Sequence, residues 1–371
     1  MLTTSRDAPN LLLALTIGTS LATWEKLGTL DRELKILYFY IQNGWKLTVL
    51  QSKLQEVPPQ AKEFSSVSVP HWRFLPLREW IPDRYVRKVD VIRTNQSVRS
   101  EIYVKTAQRW HKPIVLRCGY VRGQQLEALN GLTTEVKKYH RIEGWAFRNA
   151  TLVQVTSNHL AEWVMERYGL PHQKVRVVPN FVDTDLFTPC SVSPPKMTAI
   201  SVGRLHPTKR YDLAIDACHL ADNMGLAIAG MGAEREKLME KAGKLKVPLS
   251  LPGQIENCLL PEFYRKGSIF LITSKTEGHP KALCEAMACG LPCIGVDVVG
   301  IKEIIQDEYN GLLVEPKAES IAQAICRLIS NAELRERISV NARKYAIENY
   351  GISKILDMDV AVINEARSIG P

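Results

Sequence analysis

Short apolar runs alternate with segments of helical period along almost the whole chain. In the first half the runs are LLLALTIG (11–18), KLTVLQ (46–51), VDVIRTN (89–95), KPIVLRCGY (112–120), TLVQVTSN (151–158) and KVRVVPN (174–180). Each is rich in Leu, Ile or Val and gives way to polar or Gly-containing residues, so each reads as a buried strand. Between them Thr29 to Tyr40, Glu135 to Asn149 and a stretch running through Tyr168 carry helical patterns. LLLALTIG is short for a signal-peptide core, and Arg6 and Asp7 make a poor leader, so it reads as a first strand. Strands alternating with helices predict parallel sheets built from βαβ units.

The pattern breaks once. DLFTPCSVSPPK (185–196) is rich in Pro and Ser and has no period, which marks a linker. The alternation then restarts with MTAISVGRL (197–205), a helix at 209–223, GLAIAGMG (225–232), a helix at 233–245 and a short strand at 248–252. A helix at 260–266, a strand at 268–274, PCIGVDV (292–298) and GLLVEP (311–316) follow, with helices over 317–349 and Ile352 to Ile369. The expectation is an α/β chain of two doubly wound units, residues 1–190 and 191–350, with a C-terminal helical segment at 351–371. Such folds bind ligands in a cleft at the carboxyl ends of their strands.

The chemistry concentrates in EGHPKALCEAMACGLPCIG (277–295). Pro280 suits the first turn of a helix, where its missing N–H costs nothing, and Gly290 with Pro292 stops that helix. Glu277 then lies on the loop at the end of a strand, and Glu285 in the second turn of the helix. Helix N-termini offer unpaired amides and partial positive charge, which suits a phosphate; Lys281, Ala282 and Leu283 would supply that turn. A carboxylate beside such a phosphate suits sugar hydroxyls instead. Phosphate on amides and hydroxyls on Glu together describe a nucleotide sugar. His279, next to the loop carboxylate, is placed to touch the same substrate.

Gly203, Arg204 and Lys209 form the second constellation. MTAISV ends at Gly203, a tight-turn residue, and Arg204 follows at the strand end. Lys209 sits in a helix start opened by Pro207 and Thr208. Cations at a helix N-terminus are misplaced unless an anion joins them, and a diphosphate is such an anion. GMGAEREKL (230–238) lacks the third Gly of a dinucleotide fingerprint and reads as a tight strand-to-helix turn. Asp183 and Asp185 have the spacing of a metal pair, but their position favours an Asx turn.

Composition narrows the class. The chain is 45% hydrophobic and 23% charged over 371 residues, as for a soluble globular protein of two domains, and no apolar run is long enough to cross a bilayer. Eight cysteines show no zinc spacing and read as reduced, buried and small. The net charge of +9 is uneven: residues 1–185 hold 26 basic and 17 acidic residues, the remainder 22 of each. HWRFLPLREWIPDRYVRK (71–88) mixes Arg with aromatic rings, which suits a membrane interface or an acidic acceptor. No nucleic-acid-binding signature accompanies the charge.

VGRLHPTKRYDLAIDA, GMGAEREKL, LPGQIENCLLPEFYRKGSIFLITSKTEGHPKALCEAMACGLPCIGVDVVGIKEII and NGLLVEP, in that order over roughly 198–350, resemble the donor domain of family-4 glycosyltransferases. VVPNFVDTDLF (177–187) resembles the end of the family's acceptor domain, and residues 19–50 the opening of its bacterial members. The resemblance implies a GT-B fold, two Rossmann-like domains facing a cleft, with the last helix crossing back to the first domain. It implies retaining transfer from a nucleotide-diphosphate sugar, of UDP or GDP type, without cofactor or essential metal. By position it assigns Arg204 and Lys209 to the diphosphate, Glu277 to the donor sugar and Glu285 to the ribose, as the Glu-x7-Glu pair. Gln254 and Ile255 fall on the loop that flanks the nucleobase. The partners implied are a nucleotide-sugar donor and a saccharide or lipid-linked acceptor. A cytoplasmic protein with peripheral contact at the inner membrane face, made through its basic first half, is the expected setting.

Two positions depart from the family pattern. His279-Pro280 replaces the common Phe-Gly, so amide contacts start at Lys281. Arg117-Cys118-Gly119 stands where many members carry His or Asp, which leaves the acceptor-side polar residue unassigned. A sugar-nucleotide epimerase of the same architecture and a non-catalytic nucleotide-sugar-binding module are the alternatives. Product analysis with and without acceptor separates them.

Overall fold

The structure, a computed structural model, describes residues 8–51, 57–62, 64–68, 86–190 and 197–371. It divides into two compact units, Met1–Pro179 with Leu356–Pro371, and Asn180–Ile355.

The first unit is a parallel sheet of β1 (Asn10–Ala14), β2 (Lys46–Gln51), β3 (Ser65–Ser68), β4 (Val91–Thr94), β5 (Ile114–Cys118), β6 (Leu152–Val155) and β7 (Val175–Val177), in the order β3-β2-β1-β4-β5-β6-β7. LLLALTIG supplies the central strand, Leu12 standing opposite Thr48 on one side and Ile92 on the other. Leu11, Leu12, Val49, Ile92, Leu116 and Val153 are fully buried. Helices cover both faces of such a sheet, which is why its strands read as continuous apolar runs rather than alternating ones. The helices are α1 (Leu21–Lys26), α2 (Leu30–Gln42), α3 (Glu101–Arg109), α4 (Arg122–Asn130), α5 (Thr134–Asn149) and α6 (Asn158–Tyr168).

Several of these elements lie outside the sequence expectation. β3 is SSVS, an edge strand with little β propensity of its own. α1 has six residues and depends on a capping box between Ser20 and Thr23. α4 has no side-chain cap at its N-cap residue Val121. Glu143 of α5 does that work instead, accepting the N–H groups of Arg122 at 3.0 Å and Gly123 at 2.8 Å.

The second unit carries β8 (Thr198–Val202), β9 (Gly225–Ala229), β10 (Leu249–Gly253), β11 (Ile269–Ile272), β12 (Cys293–Val296) and β13 (Leu312–Val314), all parallel, in the order β10-β9-β8-β11-β12-β13. Its helices are α7 (Tyr211–Leu220), α8 (Arg235–Leu245), α9 (Leu260–Arg265), α10 (Lys281–Ala288), α11 (Ala318–Ser330) and α12 (Ala332–Tyr350). The strand order reverses between β8 and β11, so the connections after those two strands diverge to opposite faces and leave a crevice at their carboxyl ends.

The first unit boundary falls at Pro179, not at 190, and the expected linker at 185–196 is corrected over its described part. Residues 180–190 are folded onto the second unit. Val182 N–H donates to the Tyr350 carbonyl at 2.8 Å, and Arg343 donates to the carbonyls of Phe187 and Thr184. Phe187 is buried edge-on to Tyr264, and Arg265 donates to the Thr188 carbonyl at 3.1 Å. Pro and Ser made the segment look like a spacer, yet its ordering comes from distant arginines that no local pattern reveals. Residues 191–196 lie outside the described residues.

The last helix, α13 (Ile352–Ile369), joins the first unit from Leu356 onward. Its Asp359 is buried beneath the sheet's carboxyl edge. It receives the Arg93 guanidinium at 2.8 and 3.2 Å, the Gln154 amide at 2.6 Å and the Tyr40 hydroxyl.

The cysteine expectation needs the same correction. Cys118, Cys218, Cys284, Cys289 and Cys293 are buried thiols, but Cys190, Cys258 and Cys326 are exposed. Asp183 makes the expected turn, its Oδ1 accepting the N–H groups of Asp185 and Leu186, each at 3.2 Å. Most of the basic aromatic stretch, residues 71–85, lies outside the described residues; next to it Arg87 stacks 4.2 Å above the Trp110 ring.

Candidate functional site

The strands of the second unit end sooner than their apolar runs suggest. SIFLITSKT leaves the sheet after Ile272, because Thr273 and Ser274 turn their hydroxyls to other partners. Thr273 Oγ1 lies 2.9 Å from the Lys209 carbonyl and 3.0 Å from that of Arg210. Ser274 Oγ donates to Glu277 Oε1 at 2.6 Å. The Lys275 N–H donates to the Thr208 carbonyl at 2.7 Å. These bonds tie the segment after β8 to the segment after β11, the two that flank the reversal of strand order.

At that seam Lys209 Nζ donates to Glu277 Oε1 at 2.6 Å. Both side chains are mostly shielded, with 23% and 13% of their surface exposed, so the pair sits in a medium less polar than water. The Lys ammonium has three donors and the pair uses one of them, which leaves others for an anion. Arg204 stands exposed just after Gly203. Sequence reasoning thus places Gly203, Arg204, Lys209 and Glu277 around one crevice, and the fold brings Lys209 and Glu277 into contact.

Close backbone approach explains two glycines. A Cβ on Gly230 would lie 1.9 Å from the Gly203 carbonyl oxygen, so the GMG segment is a tight turn packed on the loop after β8, as expected. A Cβ on Gly300 would lie 2.3 Å from the Glu277 carbonyl oxygen. Gly300 therefore lets the loop after β12 press on the loop that carries the carboxylate, and sequence reasoning missed it. Tyr211 was missed too. Its buried hydroxyl is 2.8 Å from where a Gly203 Cβ would be, and burial, helped by the Glu277 charge, raises its pKa.

α10 begins after Pro280 as its N-cap, one residue later than expected. The Leu283 N–H already returns to the Pro280 carbonyl at 3.1 Å, and the Leu283 side chain is fully buried. Leu283 is therefore a packing residue rather than an anion ligand, and among the described residues the Ala282 amide has no backbone partner. Lys281 opens the helix with its ammonium 5.9 Å from the Phe181 ring.

Glu285 is 6% exposed, and its Oε2 accepts the Tyr264 hydroxyl at 2.9 Å. Helical side chains lean toward the N-terminus, so Glu285 points back along α10 toward its first turn. Burial, then the Glu285 charge, holds the Tyr264 phenol well above its ordinary pKa, so it remains a donor.

His279, expected to touch the substrate, is packed inside the second unit. It is buried, its ring 4.9 Å from Tyr350 and edge-on to it, and its Nδ1 lies 4.0 Å from Cys284 Sγ. Its carbonyl accepts the Asn180 amide at 2.9 Å. Gln254 and Ile255 follow the edge strand β10; Gln254 is exposed and Ile255 packs partly on the core. Among the described residues no group of three or more His, Cys, Asp or Glu side chains is arranged to hold a metal ion.

Family models divide the chain between residues 186 and 191, near the expected boundary and about ten residues after the one set by packing. A model described as "Glycosyl transferases group 1" matches residues 191–345, and one described as "Glycosyltransferase Family 4" matches residues 42–186. A glycosyltransferase of Haemophilus influenzae is 31% identical over 166 residues, 43% of this chain and 47% of that protein. A D-inositol 3-phosphate glycosyltransferase of Geodermatophilus obscurus is 30% identical over 212 residues, 50% of this chain and 46% of that protein. These matches therefore span less than half the length of either relative. Among solved structures, HepE of Anabaena, determined with UDP and also with UDP-glucose, superposes with a TM-score of 0.78 for the UDP complex at 16% identity, covering 96% of this chain and 100% of that one. With both units matched in order and the architecture shared end to end, the chain belongs to the group 1, family-4 glycosyltransferases of GT-B fold.

Proposed function

We propose that the protein transfers a sugar from a nucleotide-diphosphate donor to an acceptor hydroxyl with retention at the anomeric carbon. The observation that carries this reading is the Lys209–Glu277 pair at the strand-order reversal, with Gly203 packed against Lys209, exposed Arg204 next in sequence and the start of α10 on the same strand edge. One cation and one carboxylate in contact suit a substrate that joins an anion to a hydroxylated ring. The donor complexes of HepE support a UDP-type donor.

The bond from anomeric carbon to phosphate oxygen breaks, and its electron pair leaves on the diphosphate. Arg204, Lys209 and the Ala282 amide stabilise that charge as preorganised donors. Glu277, fixed by Lys209 and Ser274, orients the sugar and favours the positive charge that builds on it. The acceptor hydroxyl bonds to the anomeric carbon from the face the diphosphate leaves, and its proton passes to a phosphate oxygen. No metal and no separate base are part of this scheme. The excess of basic over acidic residues before residue 185 supports a saccharide or lipid-linked saccharide acceptor met at a membrane surface.

Thermal shift with UDP, GDP, ADP and TDP tests the donor half. A ligand at about 100 times its dissociation constant adds about 2.7 kcal/mol to apparent stability. UDP should shift the transition, and R204A and K209A should abolish the shift. No response to any nucleotide would remove the reading. Incubating UDP-sugars with and without acceptor then separates transfer from epimerisation.

A further inference from the structure

We propose that the helical hairpin of α4 and α5 docks on an anionic lipid bilayer through its tip. α4 leaves the carboxyl edge of the first unit's sheet just after β5, and α5 returns to the opposite edge to begin β6, which runs parallel to β5. Glu143 holds the start of α4, so the part of α5 before Glu143 runs alongside α4 past that edge. Glu143 lies nine positions after Thr134, which at 1.5 Å per residue sets the tip about 13 Å beyond. A second tie, His140 Nε2 to Glu127 Oε2 at 2.9 Å, clamps the two helices partway along.

The tip carries apolar groups that the fold does not use. Leu129 in the last turn of α4 is 57% exposed, and Leu132 in the connecting turn is 48% exposed. Lys137, Lys138 and Arg141 follow on α5, all exposed, at helical spacings that group them on one side. No carboxylate among the described residues pairs with any of the three, and Glu135 is the one acid between residues 131 and 141.

Apolar side chains at a projecting tip with cations behind them match a bilayer surface, leucines entering the acyl boundary and cations meeting anionic headgroups. A second copy of the chain is a poorer occupant, since joining two tips through their leucines would bring like charges together. The docked tip stands past the strand edge where doubly wound sheets bind ligands, and would hold that edge at a lipid-linked acceptor. That last consequence rests on the transfer reaction proposed above; the docking itself does not.

Flotation with vesicles of equal parts phosphatidylcholine and phosphatidylglycerol tests it. The full chain should float at low ionic strength and be released at ~1 M salt, where the screening length falls to about 3 Å. K137Q/K138Q/R141Q should weaken binding about a hundredfold, and L129S/L132S by at least about tenfold. Both variants should keep the wild-type circular dichroism and the wild-type thermal shift with UDP. Wild-type protein that stays down with the anionic vesicles overturns the proposal, as does flotation unaffected by either variant. A concentration-dependent dimer abolished by L129S/L132S, in protein that does not float, assigns the tip to a second copy and overturns it as well. Loss of the UDP shift in wild-type protein that still floats would count against the donor reading alone.

Discussion

Replacing Lys209 with Met removes one charge and keeps most of the stem. Two effects follow, and the structure gives a size for each. The first is on stability. Glu277 loses its 2.6 Å partner and keeps Ser274, in a site where 13% of its side chain is exposed. A carboxylate left with one hydroxyl donor, but with some access to water, loses about 1–2 kcal/mol. For a unit of this size that lowers the melting temperature by a few degrees, about 2–4 °C per kcal/mol. The second effect is on the transition state. A cation about 4 Å from a developing charge, at an effective dielectric constant of about 20, is worth about 4 kcal/mol. The expected loss in kcat/KM is therefore about 10²- to 10³-fold. Steady-state kinetics with a UDP-sugar, beside a thermal melt, read both. E277Q and the double variant complete a cycle. If Lys209 meets the diphosphate directly, the double variant loses more than either single one. If Lys209 only positions Glu277, the double variant equals E277Q. A loss below about tenfold in K209M would refute the diphosphate role.

Asp359→Asn should destabilise the first unit by about 3–5 kcal/mol, because it leaves the Arg93 guanidinium buried without its counter-charge. Burial pushes the Asp359 carboxyl up, but the Arg93 charge and the bonds from Tyr40, Arg93 and Gln154 outweigh it and hold the pKa below its ordinary value. Its contribution is then present at neutral pH and lost as pH falls through the lowered folded-state value, so an acid melt of the variant should lack that step. Glu143 runs the other way: burial, partly offset by the Gly123 and Arg122 amides, raises its pKa from 4.5 to about 6. Stability linked to it is full below the unfolded value and declines by about 2 kcal/mol as pH rises through about 6; urea melts of E143Q between pH 4 and 8, a range of about 4 units, should show this slope removed. Gly300→Ala should push the Glu277 loop outward and cost about 2–3 kcal/mol, since the new Cβ meets a backbone oxygen; an unchanged melt and an unchanged UDP shift would refute the packing role.

Apolar runs and helical periods were enough to read two parallel α/β units, most strand positions, the place of Arg204 and Lys209 after one strand, and that of Glu277 and Glu285 after another and on its following helix. That information is local: a strand buried on both faces must be apolar throughout, and a helix start needs its Pro and its stop needs its Gly. The segment EGHPKALCE carries its own chemistry because residue type and turn position are both written in nine consecutive letters.

What tertiary structure decided is where local patterns meet distant partners. Thr273 and Ser274 look like strand, yet they leave the sheet because Lys209, Arg210 and Glu277 offer them better partners. His279 looks like an exposed loop residue but packs on Tyr350, and α4 is capped by Glu143, which lies on the next helix. The residues of 180–190 look like a spacer and are held by Arg343 and Arg265, far along the chain. Hydrogen bonds and ring contacts between residues so far apart depend on three-dimensional proximity, and a period of two or 3.6 carries no record of that.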